Sequence, residues 1–147
     1  ITTLEDYIKK SEEKTALLFE LAITSSLILE EKSEKEIELA KDFAKNFGIA
    51  FQIRDDLLNL MSNDDKITKD FKDGIYTAPI IFAHEENNSL LNCKNLFKEI
   101  EKTKGIEKTK NLMDNYFEQA KASLAEFKNN DYKNGIITLI ETLREGL

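Results

Sequence analysis

Apolar positions along the chain recur at helical spacing almost throughout, and no segment alternates in the way a strand would. Thr3 caps a first predicted helix that runs to roughly Glu31, with Leu17, Leu18, Leu21, Ala22 and Leu29 among its apolar positions. The stretch KTALLFELAITSSLIL is apolar around most of its circumference, which predicts burial on several sides. Ser33, with Glu36 three residues on, forms a capping box and opens a second helix to about Met61. Its core face is predicted to carry Ile37, Ala40, Phe43, Ala44, Phe47, Phe51 and Leu58.

From Ser62 to Tyr76 the pattern is polar and broken, and it reads as a loop. Thr77 and Pro79 then start a helix, since Pro is tolerated in a first turn. A turn at Asn87, Asn88 and Ser89 precedes a shorter helix from about Leu90 to Lys102. Gly105 separates that from a helix of roughly Ile106 to Phe127. Asn129, Asn130 and Asp131 form a last turn and cap before a closing helix, NGIITLIETLREGL. The expected fold is all-α, a single helical domain over residues 1–147.

Composition agrees with long helices. Five glycines and one proline in 147 residues are too few for the many turns of an all-β fold. Apolar residues at 41% and charged residues at 33% describe a water-soluble globular chain. The net charge of −7 argues against nucleic acid or an anionic membrane surface as the main partner. A phosphorylated small molecule stays open, because a divalent metal reverses the local charge of a site. No apolar run approaches the ~20 residues of a membrane span. Cys93 is the only cysteine, which rules out an internal disulfide and fits a reducing, cytoplasmic setting; it is expected as a small buried hydrophobe. The chain starts at Ile1 and reads as a piece of a longer product.

Candidate chemistry centres on FQIRDDLLN, residues 51–59. Asp55 and Asn59 share a helix face, and Gln52 joins that side. Adjacent carboxylates repel, so Asp55 and Asp56 are costly together in a partly buried setting unless a cation lies between them. Magnesium suits such a pair, taking one or two carboxylates and completing its shell with water and phosphate oxygens. A solvated acidic helix end explains the same residues without any ligand. Lys14, beside Thr15 inside the most apolar helix, is expected to snorkel or to meet an anion. Lys66, Lys69 and Asp70 form a charged stretch close in sequence to the aspartates. His84, the single histidine, is expected to be structural or at the surface, and the i, i+4, i+8 spacing of Phe43, Phe47 and Phe51 is ordinary core spacing.

In this order and approximate spacing, KTALLF, FQIRDDLLN and KITKDFKDGIYTAP resemble the trans-polyprenyl diphosphate synthases, with DGIYTAPIIFAHEE nearer the long-chain members. The resemblance implies the C-terminal part of an isoprenoid-synthase-type helical bundle. It implies an enzyme condensing isopentenyl diphosphate with an allylic diphosphate through Mg2+-assisted ionisation. Asp55 and Asp56 match the second aspartate-rich motif and would hold Mg2+, with Asn59 and Asp70 as further oxygen donors. Lys14, Thr15, Gln52 and Lys66 match residues that contact the diphosphate; Lys14, Gln52 and Lys66 would carry the catalytic roles. Asn59 stands where the motif usually has a third aspartate, and Ile75 where a lysine is frequent. The family's first aspartate motif has no match in this chain. A noncatalytic or regulatory subunit of a two-component synthase is the alternative that these departures motivate. The family is commonly dimeric, so a homo- or hetero-dimer is expected.

Overall fold

The computed structural model describes residues 1–62, 64–88, 90 and 95–146, with residues 64–67 as backbone only. The eight α-helices among them are α1 (Leu4–Ser11), α2 (Leu17–Leu29), α3 (Glu34–Ser62), α4 (Asp64–Lys72), α5 (Ala78–Glu86), α6 (Leu96–Glu101), α7 (Gly105–Ser123) and α8 (Asp131–Glu145). No strand occurs among the described residues. The longest helix, α3, is the axis of the bundle: α2 and α7 pack along it, and α5 packs on α7.

Local chemistry explains most of the boundaries. The Thr3 hydroxyl accepts from the Asp6 amide and starts α1. Ser33 and Glu36 form the reciprocal capping box at the start of α3, at 3.3 and 3.0 Å. Asn130 accepts from the Lys133 amide at 2.9 Å and opens α8. Asn95 does the same for α6, which therefore begins at Leu96 rather than near Leu90. Gly105 is the first residue of α7 instead of a separator, and α7 ends at Ser123, short of Phe127.

Two cores form. The larger joins Phe43, Phe47, Ile53, Leu57, Met113, Phe117 and Ile140, with the Phe47 ring edge-on to Phe117 at 6.0 Å. The smaller lies under the α4–α6 end and holds Leu60, Phe71, Ile80, Leu90, Leu96 and Ile100.

Three expectations need correction. The segment expected as a loop between Ser62 and Tyr76 contains α4. Its polar residues disguised a short helix that buries Phe71 against Leu60 and Ile80 and ends at Lys72, and Gly74 beyond it has a φ of +81° that lets the chain turn back. The core stripe of α3 also shifts near its end. Ile53, Leu57 and Leu60 are buried there, while Leu58 is half-buried and Phe51 is 37% exposed, although its ring still meets Phe19 and Phe47. The third correction is the largest. Leu18, Leu21 and Leu29 of α2 are 68%, 66% and 84% exposed, and Leu17 and Ala22 are exposed too. Apolar residues surround this helix, but α3 covers only the side that carries Phe19, Ile23 and Thr24.

Candidate functional site

The first predicted helix is not uniform. Between α1 and α2 lies one π turn, Glu12–Ala16, closed by the Leu17 amide donating to the Glu12 carbonyl five residues back. Such single π turns widen a helix locally and re-aim its side chains. This one carries Lys14 and Thr15. It is pressed against α3 at Gly48, where a Cβ atom would stand 2.5 Å from the Ala16 Cα. Glycine permits that approach, and the approach brings the Thr15 hydroxyl to 2.6 Å from Gln52 Oε1.

A hydrogen-bond chain follows. Thr15 donates to Gln52, and Gln52 Nε2 donates to Asp56 Oδ1 at 3.1 Å. The Tyr7 hydroxyl donates to the other oxygen, Asp56 Oδ2, at 2.6 Å. Burial raises the Asp56 carboxyl above the ordinary aspartate value, against the pull of the Tyr7 and Gln52 hydrogen bonds; the Asp55 charge adds to the rise and Lys14 opposes it. Burial, followed by the Asp56 charge, pushes the Tyr7 phenol well above its usual value. The two aspartates thus differ. Asp56 is held from two sides, whereas Asp55 is exposed and among the described residues accepts from Asn59 Nδ2 at 3.1 Å.

Lys14, Gln52, Asp55, Asp56, Asn59 and Asp70 line one cleft of ≈ 250 Å³, closed by Leu60, Ile75 and Thr77. A second hollow of ≈ 300 Å³ adjoins it and shares Lys14, Gln52 and Asp56, with Tyr7 and Lys10 on its far wall. The turn after α4 brings Ile75 and Thr77 to both, fixed by the Ile75 amide donating to the Asp70 carbonyl at 2.8 Å. Six of the residues singled out from sequence therefore converge. Thr15 stands behind them as a support for Gln52. The Lys66 side chain and Cys93 lie outside the described residues. His84 is half-buried on α5 and lines neither hollow. Sequence reasoning missed Tyr7; its place two turns before Lys14 was the available signal.

No three His, Cys, Asp or Glu side chains among the described residues close into a metal cage. The donor set is instead an open face of hard oxygens from Asp55, Asp56, Asn59 and Asp70, beside Lys14. That composition fits Mg2+, which takes few protein ligands and keeps places for water and phosphate oxygens.

Fold comparison gives the class first. The chain superposes on a heptaprenyl diphosphate synthase from Staphylococcus aureus with a TM-score of 0.85 at 20% identity, using 98% of this chain and 51% of that one. A decaprenyl diphosphate synthase from Rhodobacter capsulatus gives 0.83 at 22% identity, over 99% and 51%. The fold is the helical bundle of the isoprenoid synthases. Residues 1–116 match the polyprenyl synthetase family, and the chain belongs to that family. It is 32% identical to the decaprenyl-diphosphate synthase of Dictyostelium discoideum over 95% of this chain and 34% of that protein. With the mitochondrial hexaprenyl pyrophosphate synthase of Saccharomyces cerevisiae it shares 36% identity over 85% and 30%. The chain thus spans about a third of the length of these curated relatives. Among the described residues no helix is long and apolar enough to cross a membrane.

Proposed function

We propose that this chain supplies the allylic-diphosphate face of a prenyltransferase. That enzyme condenses isopentenyl diphosphate with an allylic diphosphate to give a long-chain all-trans polyprenyl diphosphate. The observation that carries the reading is the convergence of Asp55, Asp56, Asn59, Asp70, Gln52 and Lys14 on one cleft. Bound Mg2+ would supply Lewis-acid neutralisation of the leaving diphosphate.

The residues divide the remaining work. Asp55, exposed and lightly held, is the more available ligand. Asp56, gripped by Tyr7 and Gln52, is a fixed acceptor whose position the π turn determines through Thr15. Lys14 projects from that turn into both hollows, where it meets diphosphate oxygens as a mobile point charge. Ile75 and Leu60 give the cleft an apolar wall, which keeps water from a developing allylic cation.

Lys14 is the cation that the described residues bring to the cleft lining. Because these 147 residues hold no match to the family's first aspartate motif, this chain alone is expected to bind diphosphate without turning over. Asn59 favours a second reading, a noncatalytic subunit: its amide faces Asp55 where a third carboxylate would add charge. The test is elongation of labelled isopentenyl diphosphate by the protein as its gene encodes it. The Asp55→Asn, Asp56→Asn double variant should lose at least about a hundredfold in rate, as loss of a charge-stabilising group does. Undiminished magnesium-dependent elongation by that variant overturns the assignment.

A further inference from the structure

A groove of ≈ 510 Å³ opens at the end of the bundle opposite the aspartates. Ala40 lies on its floor, and sixteen residues separate Ala40 from Asp56 on α3. At 1.5 Å per residue that is about 24 Å along the helix axis. Ile23, Leu27, Phe43, Leu124, Phe127 and Ile136 form apolar walls contributed by α2, α3, the end of α7 and α8. The volume and the mostly apolar lining with few polar groups are those of a small-molecule site.

The rim is cationic, in a chain whose net charge is −7. Lys32, Lys128 and Lys133 surround the opening. Lys133 is fixed there, its Nζ donating to the carbonyls of Phe127 at 2.8 Å and Ala125 at 3.3 Å. Lys32 and Lys128 make no ion pair among the described residues. Glu36 is the one acidic lining residue, and its carboxylate accepts from the Ser33 amide and hydroxyl. An apolar slot with a ring of cations at its mouth complements a molecule with one apolar chain and one anionic head.

We infer that this groove binds a free single-chain anionic amphiphile, independently of the diphosphate cleft. The tail lies between Phe43, Phe127 and Ile136, and the head meets Lys32 and Lys128. A free amphiphile is favoured over a bilayer surface because the lysines stand around a single slot in a chain of net charge −7.

The probe is decyl phosphate, titrated calorimetrically below its micellar concentration into the 147-residue chain in EDTA, which leaves the metal-dependent cleft out of play, with decyl glucoside as the neutral-headed comparison. One site per chain is expected, with decyl glucoside at least tenfold weaker. The Lys32→Glu, Lys128→Glu double variant, which leaves Lys133 and its bonds to the Ala125 and Phe127 carbonyls in place, should weaken decyl phosphate at least tenfold. Leu27→Trp, which fills the slot from a partly exposed position, should remove binding with the helical circular dichroism unchanged. A Leu18→Lys, Leu21→Lys variant, altering only the exposed apolar strip of α2, should bind as wild type. Equal affinity for the two heads, several sites per chain, or loss of binding in the α2-strip variant overturns the proposal. So does sedimentation with phosphatidylglycerol vesicles in the absence of decyl phosphate binding.

Discussion

Gly48 lets the π turn meet α3, and replacing it gives a prediction whose sign depends on the structure. In an exposed helix interior, Gly→Ala stabilises by about 0.5–1 kcal/mol, because glycine loses more backbone freedom on folding. Gly135, in α8, is such a position, where an added methyl group would meet nothing within 4 Å. At Gly48 the same methyl would lie 2.5 Å from Ala16 Cα and 2.8 Å from Ala16 Cβ, with 3.1 Å to the Ala16 amide nitrogen. Two of those neighbours are backbone, so no rotamer change relieves the clash. The π turn must withdraw by about 1 Å, and overpacking of this kind costs ~1–3 kcal/mol. Set against the helix-propensity gain, the net loss is up to about 2.5 kcal/mol. For a chain of this size each kcal/mol moves the midpoint by roughly 2–4 °C. Gly48→Ala should therefore melt up to about 10 °C below wild type, and Gly135→Ala about 1–4 °C above it. Urea titration with an unchanged m value checks that the native state, and not the unfolded ensemble, carries the difference. A Gly48→Ala protein as stable as Gly135→Ala refutes the close contact, and with it the argument that Gly48 positions Lys14 and Thr15.

Other expectations follow from the same contacts. Tyr7→Phe leaves Asp56 with Gln52 as its one remaining donor and should cost about 1.5–3 kcal/mol in urea unfolding, the range for hydrogen bonds to charged groups. Phe117→Ala empties a fully buried site against the Phe47 ring and should cost about 3–5 kcal/mol. Asp56 gives a pH dependence. Its carboxyl is raised from the ordinary 3.8, so the folded chain retains a proton that the unfolded chain has released. The stability from this group is complete below the unfolded value and is lost as pH rises through the folded one. In metal-free buffer, wild type should lose stability relative to Asp56→Asn as pH rises above the ordinary aspartate value; a difference that stays constant as pH rises contradicts a buried, raised Asp56.

Most of the fold was legible because its signals are local. The Ser33–Glu36 box, the Thr77–Pro79 start and the Asn130 cap each require only neighbours in sequence, and the structure shows helices opening at all three. Periodicity was less sufficient where burial depends on what lies across the chain. In α2 it indicated apolar residues on every side but not which side is covered, and Leu18 and Leu21 face outward. In α4 polar residues outweighed a single anchoring phenylalanine, so the helix passed for a loop. The candidate site was legible as a set of residue types, and the structure places Lys14, Gln52, Asp55, Asp56, Asn59 and Asp70 on one cleft. Its internal order was not. The π turn, the Gly48 contact and the Tyr7–Asp56 bond are tertiary facts that join residues up to 49 positions apart.

The central claim is that these residues form a metal-dependent diphosphate face, and calorimetric titration of inorganic pyrophosphate into the chain tests it most directly. With Mg2+ present, one pyrophosphate should bind, and removal of the metal by EDTA should abolish binding. Asp55→Asn and Lys14→Ala should each weaken it at least tenfold, about 1.4 kcal/mol. Pyrophosphate binding that survives EDTA, or that is equal in wild type and both variants, contradicts the account.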